Sequence, residues 1–393
     1  MKNHNIIGVF CAIASISILH GANTVDCPRQ SLQKEIDKAK PGETIRFTGV
    51  CTEALVLQAD NITLQGVGSA AVDGRGSDAL LVAGAHGVAL SNFEVRNGRN
   101  GIVGQNGAHF ALNGITAKNN IVHGISLQTA SSAILTNSSV TDNGLHGLAL
   151  ETGSAATITG QFSSLRNRVF GVNVNGSSLT FSQATANLSS NALGMQVATS
   201  ANAFLNDAQT AIQLTNNLAT GLTVVSGAHM VSFGGTITAT GNGAFGVSVN
   251  SKGGLDLDAG SVLTASNNRA GGLAVQQDSV MTVFNNPQFS GAPGFSTITA
   301  SGNLGNGIAV LTGSTLTLAN QAQITSTGNN AFGLLADNGS GVTLRNTTLT
   351  GNRVRDLQLT FGARADVQVN FNAATVGCDA TVLVRGASFT CAN

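Results

Sequence analysis

One frame, Asn-x-x-x-Gly-Φ-x-Φ with Φ an aliphatic residue, returns along most of this chain. Only an architecture of stacked coils imposes a single frame at a nearly fixed interval. It begins at Asn97-Gly101-Ile102 and recurs at Asn120-Gly124-Ile125, Asn143-Gly147-Leu148 and Asn167-Gly171-Val172. Further copies open at Asn217, Asn242, Asn268, Asn303 and Asn329, with successive glycines mostly 23 to 27 residues apart. Ser190-Gly194-Met195 and Asn352-Asp356-Leu357 read as degenerate copies in which one signature residue has changed. Each repeat carries two or three short alternating strands joined by polar turns, such as Ala133-Ile134-Leu135 followed by Ser139-Val140-Thr141. Strands this short bury no face alone; stacked about 4.8 Å apart they do. The frame therefore predicts an all-β solenoid of roughly a dozen coils, on the order of 60 Å long. Ile102, Ile125, Leu148, Val172, Val247, Ile308 and Leu334, each following the repeat glycine, are expected in one core.

The recurring Asn has a physical reason. Its side chain tolerates bent backbone, bonds to turn peptides, and stacks amide on amide against the same residue one coil away. Like charges repeated in every coil would repel, and only 10% of residues are charged, with a net charge of zero. That balance gives no electrostatic attraction to nucleic acid. Trp and Tyr are absent, which leaves Phe alone to stack on a sugar ring. Ahead of the repeats, Ser31 to Lys40 has a capping Ser, apolar Leu32 and Ile36, and a stop at Pro41-Gly42. It reads as a short amphipathic helix covering the open apolar end of the solenoid.

Residues 1–22 read as a Sec signal peptide, with Lys2 before an apolar run from Ile6 to Leu19 and small residues near Gly21. That run is too short to span a membrane, so the mature chain, 23–393, is expected to be secreted or periplasmic, with no membrane span. Four cysteines remain beyond it, one pair near each end. In an oxidising compartment this suggests disulfides Cys27–Cys51 and Cys378–Cys391, sealing caps over 27–66 and 365–393. A metal site is the alternative, but neither a CxxC spacing nor a neighbouring His supports it. No metal or cofactor is expected.

The Asn ladder, together with the opening DCPRQSLQKEIDKAKPGETIRFTGVCTEALVLQADNITLQGVG from Asp26 to Gly68, resembles secreted right-handed parallel β-helix proteins of the pectin lyase-like superfamily. The resemblance covers nearly the whole mature chain. It implies one β-helix domain and a polysaccharide or cell-surface glycan as partner. It does not imply one activity, since that superfamily holds lyases, hydrolases, epimerases, phage tailspikes, adhesins and members without known activity.

Pectate lyases and polygalacturonases of that superfamily carry acids on the outer face of one sheet, where they hold Ca²⁺ or act as general acid and base. The corresponding positions here, between the two Φ residues, are Ser126, Ala149, Asn173, Gln196, Thr223, Ser248, Ala274, Ala309 and Leu335; none is a carboxylate, and just beyond them only Glu151 is acidic. His123 and His146 share one repeat position that is Phe170, Leu193, Phe245 and Phe332 elsewhere. A stacked structural column accounts for that exchange of rings, and a two-His site is the alternative. His86, His109 and His229 each follow Gly-Ala, as in a recurring turn.

The densest early charge is Asp73, Arg75, Asp78, Glu94, Arg96 and Arg99. Arg75, Glu94, Arg96 and Arg99 are the candidates for neutralising a uronate and moving a proton; a solvated edge of ion pairs is the plainer reading. A second patch is Arg345, Arg353, Arg355, Asp356 and Arg364. One long repeat, between Gly272 and Gly307, carries an insertion within 276–306 whose Phe284, Phe289 and Phe295 are candidate binding residues. From these residues the expected function is an exported, non-catalytic glycan-binding or adhesin-like scaffold. The alternative is a lyase or glycoside hydrolase acting on an anionic polysaccharide.

Overall fold

A computed structural model describes residues 24–286, 294–386 and 389. The signal-peptide segment, Phe289 and Cys391 lie outside the described residues. The chain coils into a parallel β-solenoid, all of its paired strands running in one direction. The Gly-Φ-x-Φ strands form one sheet of fourteen, about fourteen coils in all. The remaining strands form a 27-stranded sheet that is folded along its length. Its two halves are continuous where the second and third strands of a coil merge, as in Ser132–Thr141, Ala155–Leu165 and Ser178–Asn187. Register shifts at Thr136/Ser138 and Ile158/Gly160 mark that corner. The two strands expected within 133–141 are thus one bent strand. Stacked partners step by one repeat: Ile102 pairs with Ile125, Ile125 with Leu148, and Leu148 with Val172. All seven residues expected in the core are fully buried in a single continuous cluster.

The buried amide ladder links Asn120, Asn143, Asn167, Asn191, Asn217, Asn242, Asn268, Asn303, Asn329 and Asn352. From Asn120 to Asn143 the backbone N–H (3.1 Å) and the Nδ2 amide (3.0 Å) donate to one Oδ1 in the next coil. The same pair recurs from Asn242 to Asn268 and from Asn303 to Asn329. The repeat glycine follows from this ladder. A Cβ on Gly124 would lie 2.7 Å from Asn143 Nδ2 and 2.7 Å from the Gly147 carbonyl oxygen. A Cβ on Gly171 would lie 2.6 Å from Asn191 Nδ2. The frame is therefore one contact written twice: the glycine of each coil leaves room for the asparagine of the next.

Two copies of the frame are corrected by this geometry. Each ladder Asn follows a residue of positive φ, such as Asn119, Asp142 and Arg166. Asn97, with φ 53, occupies that preceding position, and Gly98 stands where a ladder residue would, donating its N–H to Asn120. Ser190 also has positive φ, and Asn191 beside it is a ladder member, accepting from Asn167 and donating its backbone N–H to Asn217, while its amide turns to the Ser164 and Ser189 carbonyls. The ladder is unbroken there.

The helix spans Leu32–Lys38, with Ser31 Oγ accepting from Lys34 N–H and Leu32 and Ile36 buried against the first coil. Glu53 fastens its start, accepting from Leu32 N–H and Ser31 Oγ. Cys27 and Cys51 form the expected disulfide, with Cα atoms 4.9 Å apart. Cys378 is disulfide-bonded, and the partner expected for it, Cys391, is outside the described residues. No helix among the described residues is long and apolar enough to cross a membrane.

Candidate functional site

The outer face of the fourteen-stranded sheet carries a row of small side chains between taller columns, here called the trough. Side chains between the two Φ residues point away from the core, yet Ser126 and Ala149 are 0% exposed and Asn173 is 7% exposed. Outward residues this small are covered only if taller columns rise on both sides. On one flank Gln128 bends over the floor, its Nε2 donating to Ser126 Oγ (2.9 Å), and Asn250 does the same to Ser248 (3.1 Å). On the other flank stand the residues just before each repeat glycine. The expected His column is present: the His123 and His146 rings stack with centroids 4.8 Å apart, and Phe170 continues the column at 4.9 Å from His146.

Burial first, then the nearby Arg99 guanidinium, lowers the His123 pKa from 6.5 to about 4. Burial and the His123 ring likewise lower His146 to about 4. Both rings are therefore neutral near pH 7. His146 Nδ1 accepts the Phe170 N–H (3.3 Å), which places the ring proton on Nε2. His123 Nδ1 is buried without a hydrogen-bond partner, an unusual state for a buried polar atom. Around the histidines the trough thus has a covered floor of Ser126, Ala149 and Asn173, a neutral imidazole pair on one wall and the Arg99 charge nearby; a second cation, Arg355, stands in register with Phe332 farther along the same wall.

The early charged cluster divides into two. Arg96 lies on the outer face of the 27-stranded sheet, ion-paired to Glu94 (2.9 Å) and Asp73 (3.4 Å), and Glu94 also holds Lys118 (2.8 Å). Stacking places Asp73, Arg96 and Lys118 in one column. These groups satisfy one another. Asp78 accepts the Asn100 N–H and amide, while Arg75 is exposed with φ 46. Of this cluster, Arg99 is the member whose charge acts on the His123 ring. Arg96 and Glu94 are thereby removed from the candidate centre by their position, and Arg75 has no partner in it.

The second patch also disperses. Arg345 bonds Gln368, Arg353 bonds Asn330 and Arg355 bonds Gln358. Asp356 is buried at the end of the ladder, and Arg364 faces outward on the other sheet. The insertion leaves the coil at the corner between Val280–Val283 and Ser296–Ser301, away from the trough. Phe284 is half-buried; Phe295 is 47% exposed and borders a recess of about 250 Å³ with Gln323, Asn346, Thr348 and Asn370. His86, His109 and His229 begin strands rather than sit in turns. His229 pairs with Asp256 (3.1 Å), whose hydrogen bond raises its pKa. Among the described residues the one cluster of metal-ligand type is Cys27, Cys51 and Glu53, whose sulfurs are joined and whose carboxylate caps the helix.

Residues 45–208 match the family model described as the right handed beta helix region, and the handedness expected from the sequence is met. No curated protein is significantly similar to the chain. Among solved structures, an alginate lyase from Paenibacillus sp. aligns at 15% identity with TM-score 0.49, over 64% of this chain and 98% of its own. The A-module of a mannuronan C-5 epimerase from Azotobacter vinelandii aligns at 14% identity and TM-score 0.41, over 91% and 94%. PfbA, a surface adhesin of Streptococcus pneumoniae, aligns at 11% identity and TM-score 0.33, over 77% and 85%. The family model thus supports the β-helix fold over residues 45–208.

Proposed function

We propose that this β-helix is exported and acts on an anionic polysaccharide, which lies along the trough with a uronate carboxylate at Arg99. The observation that carries the reading is the juxtaposition of the exposed Arg99 cation with the stacked, neutral His123 and His146 rings. A guanidinium receives a carboxylate through paired N–H donors and so draws charge from the adjacent carbon. A neutral imidazole is a proton acceptor, and a carboxylate arriving nearby raises the affinity for that proton. The chemistry is a β-elimination. The proton on the carboxylate-bearing carbon passes to the His123 imidazole, His146 having both ring nitrogens engaged, its bonding pair forms the new C=C bond, and the glycosidic oxygen leaves with its own pair and takes a proton from water. Glu151 is the sole acid in the flanking columns around His123 and His146. That scarcity argues against hydrolysis by a carboxylate pair. The disulfide between Cys27 and Cys51 fits an oxidising compartment.

The test is turnover of a panel of polyuronates, followed by ultraviolet absorbance of the unsaturated product. Product formation that disappears in Arg99→Ala and persists in Arg96→Ala supports the reading. Product formation undiminished in Arg99→Ala rejects the site. A second reading, glycan binding without turnover, is favoured by one specific observation. Phe295 offers an exposed ring beside four amide and hydroxyl side chains, the combination that stacks and hydrogen-bonds a sugar.

A further inference from the structure

Near the C-terminal end, on the outer face of the 27-stranded sheet, a cavity of about 240 Å³ opens where the side-chain column is interrupted. Thr315, Gly341 and Arg364 stack in register, as do Thr317, Thr343, Asp366 and Arg385 in the adjacent column. Gly341 makes the gap. Nothing in the packing demands glycine there: its φ is not positive, and an added Cβ would meet only Thr315 Cγ2, at an ordinary 3.6 Å. The absent side chain leaves a notch whose rim is Arg364 and Arg385. Among the described residues neither guanidinium has a carboxylate within 4.0 Å. Asp366, which stacks directly beneath Arg385, is instead held by Gln368 (3.0 Å). Elsewhere in the chain, stacked arginines and acids pair, as Arg166 does with Asp142 (2.8 Å).

We infer that the Gly341 notch is a binding site for the carboxylate of a single uronate residue, which Arg364 and Arg385 clamp while Thr317 and Thr343 hydrogen-bond the ring hydroxyls. Two guanidiniums against one carboxylate leave a net positive rim, and a forked donor matches a planar carboxylate. The volume is below that of sites for drug-sized ligands and suits one charged sugar. Gly341 lies eight coil steps from the His123 strand, roughly 40 Å at the spacing of stacked strands. It is a second site on a different face, and it serves to hold the polymer while the trough acts on another part of it. The inference extends the polysaccharide reading above but does not depend on turnover.

Gly341→Thr tests it, because threonine stands at the same position one coil earlier and fits without strain. Oligogalacturonate is titrated calorimetrically into the full chain at low salt, with a neutral oligoglucan as control and thermal melting as the check on folding. Binding in the Arg99→Ala background, which disables the trough, is expected to weaken at least tenfold on adding Gly341→Thr, and to weaken again with rising salt. Arg385→Gln is expected to give the same loss. Unchanged affinity in both variants overturns the inference, as does an equal loss for the neutral glucan, since the notch would then not be reading charge. Notch-dependent binding by a protein that turns over no uronate would reject the trough chemistry and leave this site standing.

Discussion

The side-chain amide of Asn352 donates to the Asp356 carboxylate four residues later in the same coil (2.8 Å), where the backbone N–H of every earlier ladder Asn, and the amide of each but Asn191, donates onward to the next coil. Asp356 stands in the place of the repeat glycine. Its Oδ1 takes the Asn352 N–H and amide, and its Oδ2 takes the Ala374 N–H, the Thr375 N–H and the Thr375 hydroxyl. The ladder presents donors toward the C-terminal end, and an acceptor-only carboxylate is the group that terminates it. A Cβ is tolerated there because no further Asn follows to occupy the space.

Restoring the repeat at this position is therefore expected to damage the protein. Asp356→Gly removes the acceptor of five donors and should destabilise by about 2–4 kcal/mol, with Asp356→Asn less severe. Equilibrium urea unfolding measures both. Stability equal to wild type in Asp356→Gly would refute the terminator role.

Within the ladder, Gly171→Ala drives a methyl into the Asn191 amide and the Gly194 carbonyl. Both are fixed by the stack, so neither side can yield cheaply. The expected loss is about 2–4 kcal/mol by the same measurement. Gly341→Ala, at an unconstrained glycine, should change stability by about 0.5 kcal/mol or less.

Acid stability is expected to follow the trough histidines. His123 and His146 have pKa values of about 4 in the fold against 6.5 when free. Between those values the unfolded chain binds more protons than the folded one. Their contribution is thus complete above about pH 6.5, falls as pH drops toward 4, and is level below it. Asp142, held low by its hydrogen bond from Arg166, titrates beneath that window. His229, raised by Asp256, acts in the opposite sense, its contribution being lost as pH rises. Replacing both trough rings, His123→Phe with His146→Phe, should flatten the acid limb, because Phe170 already occupies the same column. An unchanged limb between pH 6.5 and 4 would show that these rings do not govern it.

Sequence periodicity made the fold legible because Gly and Asn recur for one steric reason in every coil. It misplaced Asn97 and Ser190 because two adjacent polar residues, one in the bend and one inside, satisfy the same spacing to within a residue. The spacing of Asp73, Arg96 and Lys118 already contained their column, one repeat apart. What it hid was the turn after Arg96, which carries Arg99 around to another face three residues later. The empty carboxylate positions of the trough were readable directly. The Gly341 notch was not, because a glycine outside the frame looks like any other until its neighbours are in place.

The second reading, glycan binding at Phe295, gives a separate expectation. Phe295→Ala should weaken binding of a neutral or acidic oligosaccharide at the Asn346–Asn370 recess several-fold, the loss of one stacked ring, and leave turnover of short uronates unchanged. Equal binding by wild type and variant, in a calorimetric titration, would remove Phe295 from the account.

The central claim is that an anionic sugar lies in the trough against Arg99 and the His123–His146 wall. A crystal structure with a bound oligouronate tests it most directly. The account predicts sugar along the exposed edge formed by Arg99 and His146, with a carboxylate within hydrogen-bonding distance of the Arg99 guanidinium. An oligouronate bound elsewhere, with the trough empty at saturating concentration, would contradict it.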